Sequence, residues 1–148
     1  MTKPDTDTIA AWTRLATASR ILIDAIEEAL KSHGFPPLAW YDALLELDKA
    51  GEAGLRPFEL RARLLLPQYG TSRLLDRMAR EDLVERTDCP DDGRGQIIRI
   101  TSKGAALRTS MWPVYADALI RHVETRLDPA DRRDLARILD RLLPPPGT

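Results

Sequence analysis

Apolar residues recur at three- and four-residue steps from the start of the chain. Ile9, Trp12, Leu15, Leu22, Ile26 and Leu30 mark one face of a helix running from about Asp7 to Ser32. His33-Gly34 stops it and Pro36-Pro37 prevents its resumption. A second helix is expected from Pro37 to about Lys49, carrying Leu38, Tyr41, Leu44, Leu45 and Leu47, with Gly51 and Gly54 closing it. Pro57 sits where the first turn of a short helix accepts proline, giving a helix over Arg56 to Arg63. Pro67 is read as opening another, reaching about Arg80, with Leu74, Leu75 and Met78 facing inward. Two short helices joined by a few residues form a helix-turn-helix pattern. Leu83 to Thr87 and Gln96 to Ile100 read as strands, joined by a loop from Asp88 to Gly95 rich in turn formers. Helical spacing returns at Ser102, with Trp112, Tyr115, Leu119, Val123 and Leu127 on one stripe and Pro113 expected to kink the rod. Asp128-Pro129-Ala130-Asp131 supplies a cap, a first-turn proline and an acidic third position, so a further helix begins there, with Leu135, Ile138, Leu139 and Leu142 as its apolar face.

The order is helix, helix, helix-turn-helix, hairpin, helix, helix: a mainly α chain with a small β-hairpin, of α+β class. Its 148 residues suit one domain, which buries roughly 70% of the surface its unfolded chain exposes. The 43% apolar and 30% charged fractions are those of a globular protein. No apolar run approaches the roughly 18 residues of a membrane span, and Met1 to Asp7 is polar, so neither anchor nor secretory signal is expected and a cytoplasmic location follows. Cys89 alone forms no internal disulfide, and with His33 and His122 it makes no typical zinc site. No glycine-rich phosphate loop, metal-ligand spacing or nucleophile–base arrangement is present, so neither a cofactor nor an enzymatic role is expected.

Charge changes the picture. The whole chain carries −1, which on its face argues against nucleic acid. Residues 1–55 hold five cations against nine anions, a net of −4. Residues 56–103 hold ten against eight, a net of +2, and residues 104–148 seven against six, a net of +1. An acidic first third thus masks a mildly basic centre containing Arg56, Arg61, Arg63, Arg73, Arg77 and Arg94. Arginine suits both bidentate guanine recognition and phosphate clamping.

Leu83-Val84-Glu85-Arg86-Thr87-Asp88, then Asp92-Gly93-Arg94, then Ile98-Arg99-Ile100-Thr101 and Lys103-Gly104 together resemble the wing signature of the MarR (multiple antibiotic resistance regulator) family of winged-helix transcription regulators. The resemblance covers nearly the whole chain. It implies a winged helix-turn-helix over residues 37–103 and a helical dimerisation part over 7–35 and 104–143. It also implies a homodimeric repressor on a palindromic operator in double-stranded DNA, released by a small phenolic or aromatic-acid effector. Asp82 stands where the family has a glycine, Tyr69-Gly70 where it has small polar residues, and Arg56-Pro57 where it has a threonine-type cap.

A helix in the major groove presents its N-terminal side chains to base edges and phosphates. Here those are Gln68, Tyr69, Thr71, Ser72 and Arg73, with Arg77 one turn on. Gln68 and Arg73 have the chemistry for bases, Thr71 and Ser72 for phosphate oxygens. Arg94 at the hairpin tip is placed to enter a minor groove, the role the resemblance assigns it, and Asp92 is suited to hold it in a bidentate pair. A purely structural use stands beside each: Arg77 pairing with Glu81, Arg73 pairing with Asp76, or Asp91-Asp92-Gly93 as an ordinary turn.

For an effector the candidates are Trp12, Trp40, Tyr41, Trp112 and Tyr115, with Arg14 or Arg20 to meet a carboxylate. An aromatic stripe at helical spacing is more commonly core or dimer interface than a pocket. The competing function is a winged-helix protein-interaction module that does not bind DNA. Cys89 in the loop lacks the partner that redox sensing normally needs.

Overall fold

A computed structural model of the chain describes residues 1–65, 70–88 and 95–145. The helices are α1 (Thr6–Ser32), α2 (Leu38–Ala50), α3 (Pro57–Arg63), α4 (Thr71–Arg80), α5 (Ser102–Leu119) and α6 (Pro129–Asp140). Strands β1 (Val84–Asp88) and β2 (Gln96–Ile100) form an antiparallel hairpin. The mainly helical class with one small hairpin is therefore what the chain adopts.

Two compact units divide the described residues: one takes Met1–Ile26 with the residues from Tyr115 onward, the other Glu27–Val114.

The second unit has a closed core. Leu44 and Leu47 of α2, Leu60 of α3, Met78 of α4 and Ile98 of β2 are each wholly buried, and Leu55, Leu75, Leu83 and Val84 join them. Side chains from helices and hairpin thus share one apolar interior, as a helix-turn-helix of this size requires. Register in the hairpin runs from Val84 opposite Ile100 to Asp88 opposite Gln96. Leu55 adds a rung that the periodicity does not reveal. Its N–H donates to the Ile98 carbonyl at 2.9 Å and its carbonyl accepts from Ile98 at 2.8 Å. Gly54 makes this approach possible, because at φ +67 a Cβ there would lie 2.6 Å from the Ile98 carbonyl oxygen.

Polar side chains hold the loop ends. Glu27 Oε1 accepts the Leu38 N–H at 2.6 Å at the start of α2. The buried Asp42 carboxylate accepts the Leu65 N–H beyond α3. Both satisfy backbone donors that would otherwise lose water without replacement.

In the first unit the cap expected at Asp128 is present, its Oδ1 accepting the Asp131 N–H at 2.8 Å. Yet α6 buries no residue at all. Leu135, Ile138, Leu142 and Leu143 are exposed, as are Ile9, Trp12 and Ile21 on α1. Helix α5 continues through Pro113 and passes into a π-helical stretch at Ile120–Glu124, so the departure from α geometry falls seven residues later than the proline.

The start of α4 corrects the sequence reading. Pro67 was expected to open this helix, placing Gly70 inside it; instead Gly70 precedes it, at φ +91 and ψ 42. A left-handed residue breaks the helical path, and glycine takes that conformation without a Cβ penalty. The helix therefore begins at Thr71.

Candidate nucleic-acid interface

Helix α4 has two unlike faces. Thr71, Leu74, Leu75 and Met78 point into the core, whereas Ser72, Arg73, Arg77 and Arg80 are exposed. Arg73, Arg77 and Arg80 are spaced by four and three residues, so they share one outer face. Arg77 does not pair with Glu81, nor Arg73 with Asp76; among the described residues none of the three arginines has an ion-pair partner. Asp76 is instead bound by Arg86 of β1, whose Nη2 lies 2.6 Å from Asp76 Oδ1. Thr71 is 8% exposed, so its side chain belongs to the inner face while Ser72 and Arg73 begin the outer one.

Hydrogen bonds at the base of the hairpin explain the threonine and glycine of the sequence motif. Thr101 Oγ1 donates to the Asp82 carbonyl at 2.6 Å and accepts the Gly104 N–H at 3.0 Å, which caps α5. Asp82 sits at φ +61, the left-handed conformation that a glycine would adopt more easily. Gly104 lies against the Leu83 carbonyl, and no side chain fits there. Strand β2 is further tied down by Arg99, which donates from Nε to the Glu52 carbonyl at 2.6 Å and from Nη1 to Thr87 Oγ1 at 2.7 Å. The hairpin is thereby braced from its base to its fourth rung.

Gln68, Tyr69, Asp92 and Arg94, with Cys89, lie outside the described residues. Of the sequence candidates for this face, α4 brings together Ser72, Arg73 and Arg77. Arg80 and the Asp76–Arg86 pair were not singled out. Arg80 follows from the same spacing as Arg73 and Arg77, whereas a pair across ten residues leaves no periodic signal.

The aromatic candidates divide. Tyr41, buried on α2, stacks with Trp112 of α5 at a centroid distance of 6.1 Å and an interplanar angle of 21°. Beside them Arg108 bonds the Asp48 carboxylate, from Nε at 2.9 Å and Nη2 at 2.7 Å. Burial works against the charged Arg108, but hydrogen bonds to Asp48 and Tyr41 outweigh it and hold the guanidinium pKa above its ordinary value. Trp40 packs partly against the core. Trp12 and Arg20 are exposed on α1 and Tyr115 is half-buried, all three in the first unit. An open groove along α1, lined by Ile9, Thr13, Arg14, Thr17 and Ile21 among others, includes Arg14 but neither Trp12 nor Arg20.

Among the described residues no cluster of His, Cys, Asp or Glu is arranged to hold a metal ion. Nor is any described helix long and apolar enough to cross a membrane.

Comparison with known proteins agrees with this architecture. The MarR protein of Escherichia coli strain K12, named for multiple antibiotic resistance, is 28% identical over 92 residues, spanning 62% of this chain and 64% of that relative. Among solved structures, Sco3205 from Streptomyces coelicolor, a MarR family transcriptional regulator crystallised in complex with DNA, superposes with a TM-score of 0.85 and 25% identity, covering 96% of this chain and 89% of that one. A cysteine-to-serine mutant of E. coli MarR complexed with operator DNA gives a TM-score of 0.80 at 24% identity, covering 95% and 100%, a likeness of fold. Residues 33–95, which include α2, α3, α4 and the start of the hairpin, match the profile of the MarR family. Over these residues, somewhat under half of the chain, the protein is similar to the MarR family.

Proposed function

We propose that this protein is a transcription regulator that binds duplex DNA as a homodimer, reading the major groove with α4 and the adjoining minor groove with the hairpin. The observation that carries the reading is the exposed outer face of α4, where Arg73, Arg77 and Arg80 have no ion-pair partner among the described residues. Three guanidinium groups on the second helix of a helix-turn-helix are a ready contact for phosphates and guanine edges. Relatives of the same fold have been crystallised on DNA, one of them on its operator. Gln68 and Tyr69 precede this helix in sequence, and Asp92 and Arg94 fall between the strands, so the full reading adds them to Ser72, Arg73 and Arg77, while Thr71 stays on the inner face.

Homodimerisation is supported by the apolar side chains left open on α6 and the first part of α1, which a second copy would cover. Such a dimer would assign residues 37–103 to DNA and residues 7–35 and 104–143 to self-association. Release from a palindromic operator by a small aromatic acid is the accompanying regulatory reading, and a cytoplasmic repressor the setting. Its support is the likeness to the MarR family over residues 33–95, since the Tyr41–Trp112 stack and Arg108, paired with Asp48, are engaged within the chain.

The decisive experiment selects a site from a randomised duplex pool with the wild-type protein and titrates Arg77→Ala against it. Enrichment of a palindrome with half-sites about 34–36 Å apart is expected. Arg77→Ala should weaken binding roughly 10- to 100-fold and lower the slope of log affinity against log salt by about one per subunit, about two for the dimer. Failure of the wild type to enrich any duplex at low salt, with capture of a protein partner instead, would establish the interaction-module alternative.

A further inference from the structure

Asp76 is the sole acidic residue of α4, and it lies among the arginines of the outer face: Arg73 precedes it by three residues and Arg80 follows by four. Both spacings are those at which oppositely charged side chains meet on a helix. Left alone, the carboxylate would draw in Arg73 or Arg80. In the structure it does neither, because Arg86 reaches across from β1 and takes it at 2.6 Å. Arg86 makes no competing use of its remaining buried donor, since its Nε is enclosed with no hydrogen-bond partner among the described residues.

We propose that Arg86 is a positioning residue that keeps the DNA-facing arginines free by occupying Asp76. The inference rests on the reading of α4 as the DNA-contacting helix. Two observations favour this role over that of a structural clasp. The packing of α4 against the hairpin is already fixed by buried Leu75, Met78, Leu83 and Val84. The pair itself is only partly buried, with side-chain exposures of 28% for Arg86 and 48% for Asp76, and ion pairs in such positions add little stability. Its effect is therefore on where the neighbouring charges go. With Arg86 removed, Asp76 closes an intrahelical pair with Arg73 or Arg80, and one guanidinium is withdrawn from the phosphates.

A double-mutant cycle on the full-length protein tests this, using the duplex selected by the wild type, a scrambled duplex of equal length and thermal melts of each variant. Arg86→Met should weaken binding to both duplexes, by about tenfold on the selected one, and lower the salt slope by about one per subunit, about two for the dimer. Asp76→Asn should bind at least as tightly as wild type. The double variant Asp76→Asn with Arg86→Met should recover most of the lost affinity and slope, since no carboxylate remains to recruit an arginine. A structural clasp gives the opposite pattern: Asp76→Asn weakens binding as much as Arg86→Met, and the double variant recovers nothing. That result overturns the proposal. If Arg86→Met melts below the assay temperature, Asp76→Asn decides alone, because any severalfold loss of affinity in that variant contradicts the role. Arg77→Ala runs alongside; an unchanged affinity there removes the DNA reading itself, independently of Arg86.

Discussion

An added Cβ on Gly104 would lie 2.2 Å from the Leu83 carbonyl oxygen and 2.9 Å from Cγ1 of Ile100. Neither neighbour is free to move: the Leu83 carbonyl accepts the Thr101 N–H at 3.1 Å, and Ile100 is the last rung of the hairpin. Gly104→Ala should therefore destabilise the protein by about 2–4 kcal/mol, read from urea unfolding with an unchanged slope. A loss below about 0.5 kcal/mol would mean that the joint between β2 and α5 yields easily. The opposite sign is expected on the other side of the same joint. Asp82 holds a left-handed conformation at φ +61, and only its backbone carbonyl takes the Thr101 hydroxyl. Asp82→Gly keeps that bond, removes the steric cost, and should stabilise by about 0.5–1 kcal/mol.

Helices and strands were legible in the sequence where a buried face repeats with the period of the element. Helices α1 and α2 were bounded within a residue or two by their apolar spacing and by Gly34 and Pro37, and the start of α6 by Asp128. The start of α4 was not, because Pro67 is a plausible first-turn residue and a left-handed Gly70 has no sequence mark that separates it from a helical one. The arginine face was legible in part, through Arg73 and Arg77. Its freedom from ion pairing was not, since two intrahelical partners had the right spacing and only the fold brings Arg86 to Asp76. Local capping can also be tested by pH. Asp5 accepts the Thr8 N–H at 2.7 Å at the head of α1, and chiefly that bond holds its carboxyl pKa below the ordinary value. A depressed pKa contributes stability above the unfolded value that is lost as pH falls through the folded one. Acidification through and below the usual carboxylate range should fray the first turn of α1. Amide exchange at Thr8 should rise there, and in Asp5→Asn it should lose that pH dependence.

At the scale of the molecule, charge and exposed apolar surface lead to one requirement. A chain of net −1 whose central third carries only +2 neutralises few phosphates, so a single winged helix gains little from non-specific attraction. On the proposed function, useful affinity would then depend on two winged helices acting together, where the second contact is made at high effective concentration. The first unit has what such coupling needs: α6 buries nothing within the chain, while Leu135, Ile138, Leu142 and Leu143 stand open to a partner. A twelve-residue helix with so little cover is marginal in water, so a second copy would stabilise the helix as well as the assembly. Ile138→Glu places a charge in that apolar strip and should convert the proposed homodimer to a monomer in sedimentation equilibrium, with α2 to β2 still folded. The monomer should bind the selected palindrome no better than an isolated half-site, a loss of about 100-fold or more. Its salt slope should fall to about half that of the dimer, since half the phosphates are contacted. A variant that stays dimeric, or a monomer that retains full affinity for the palindrome, would show that α6 is not what joins the two reading heads.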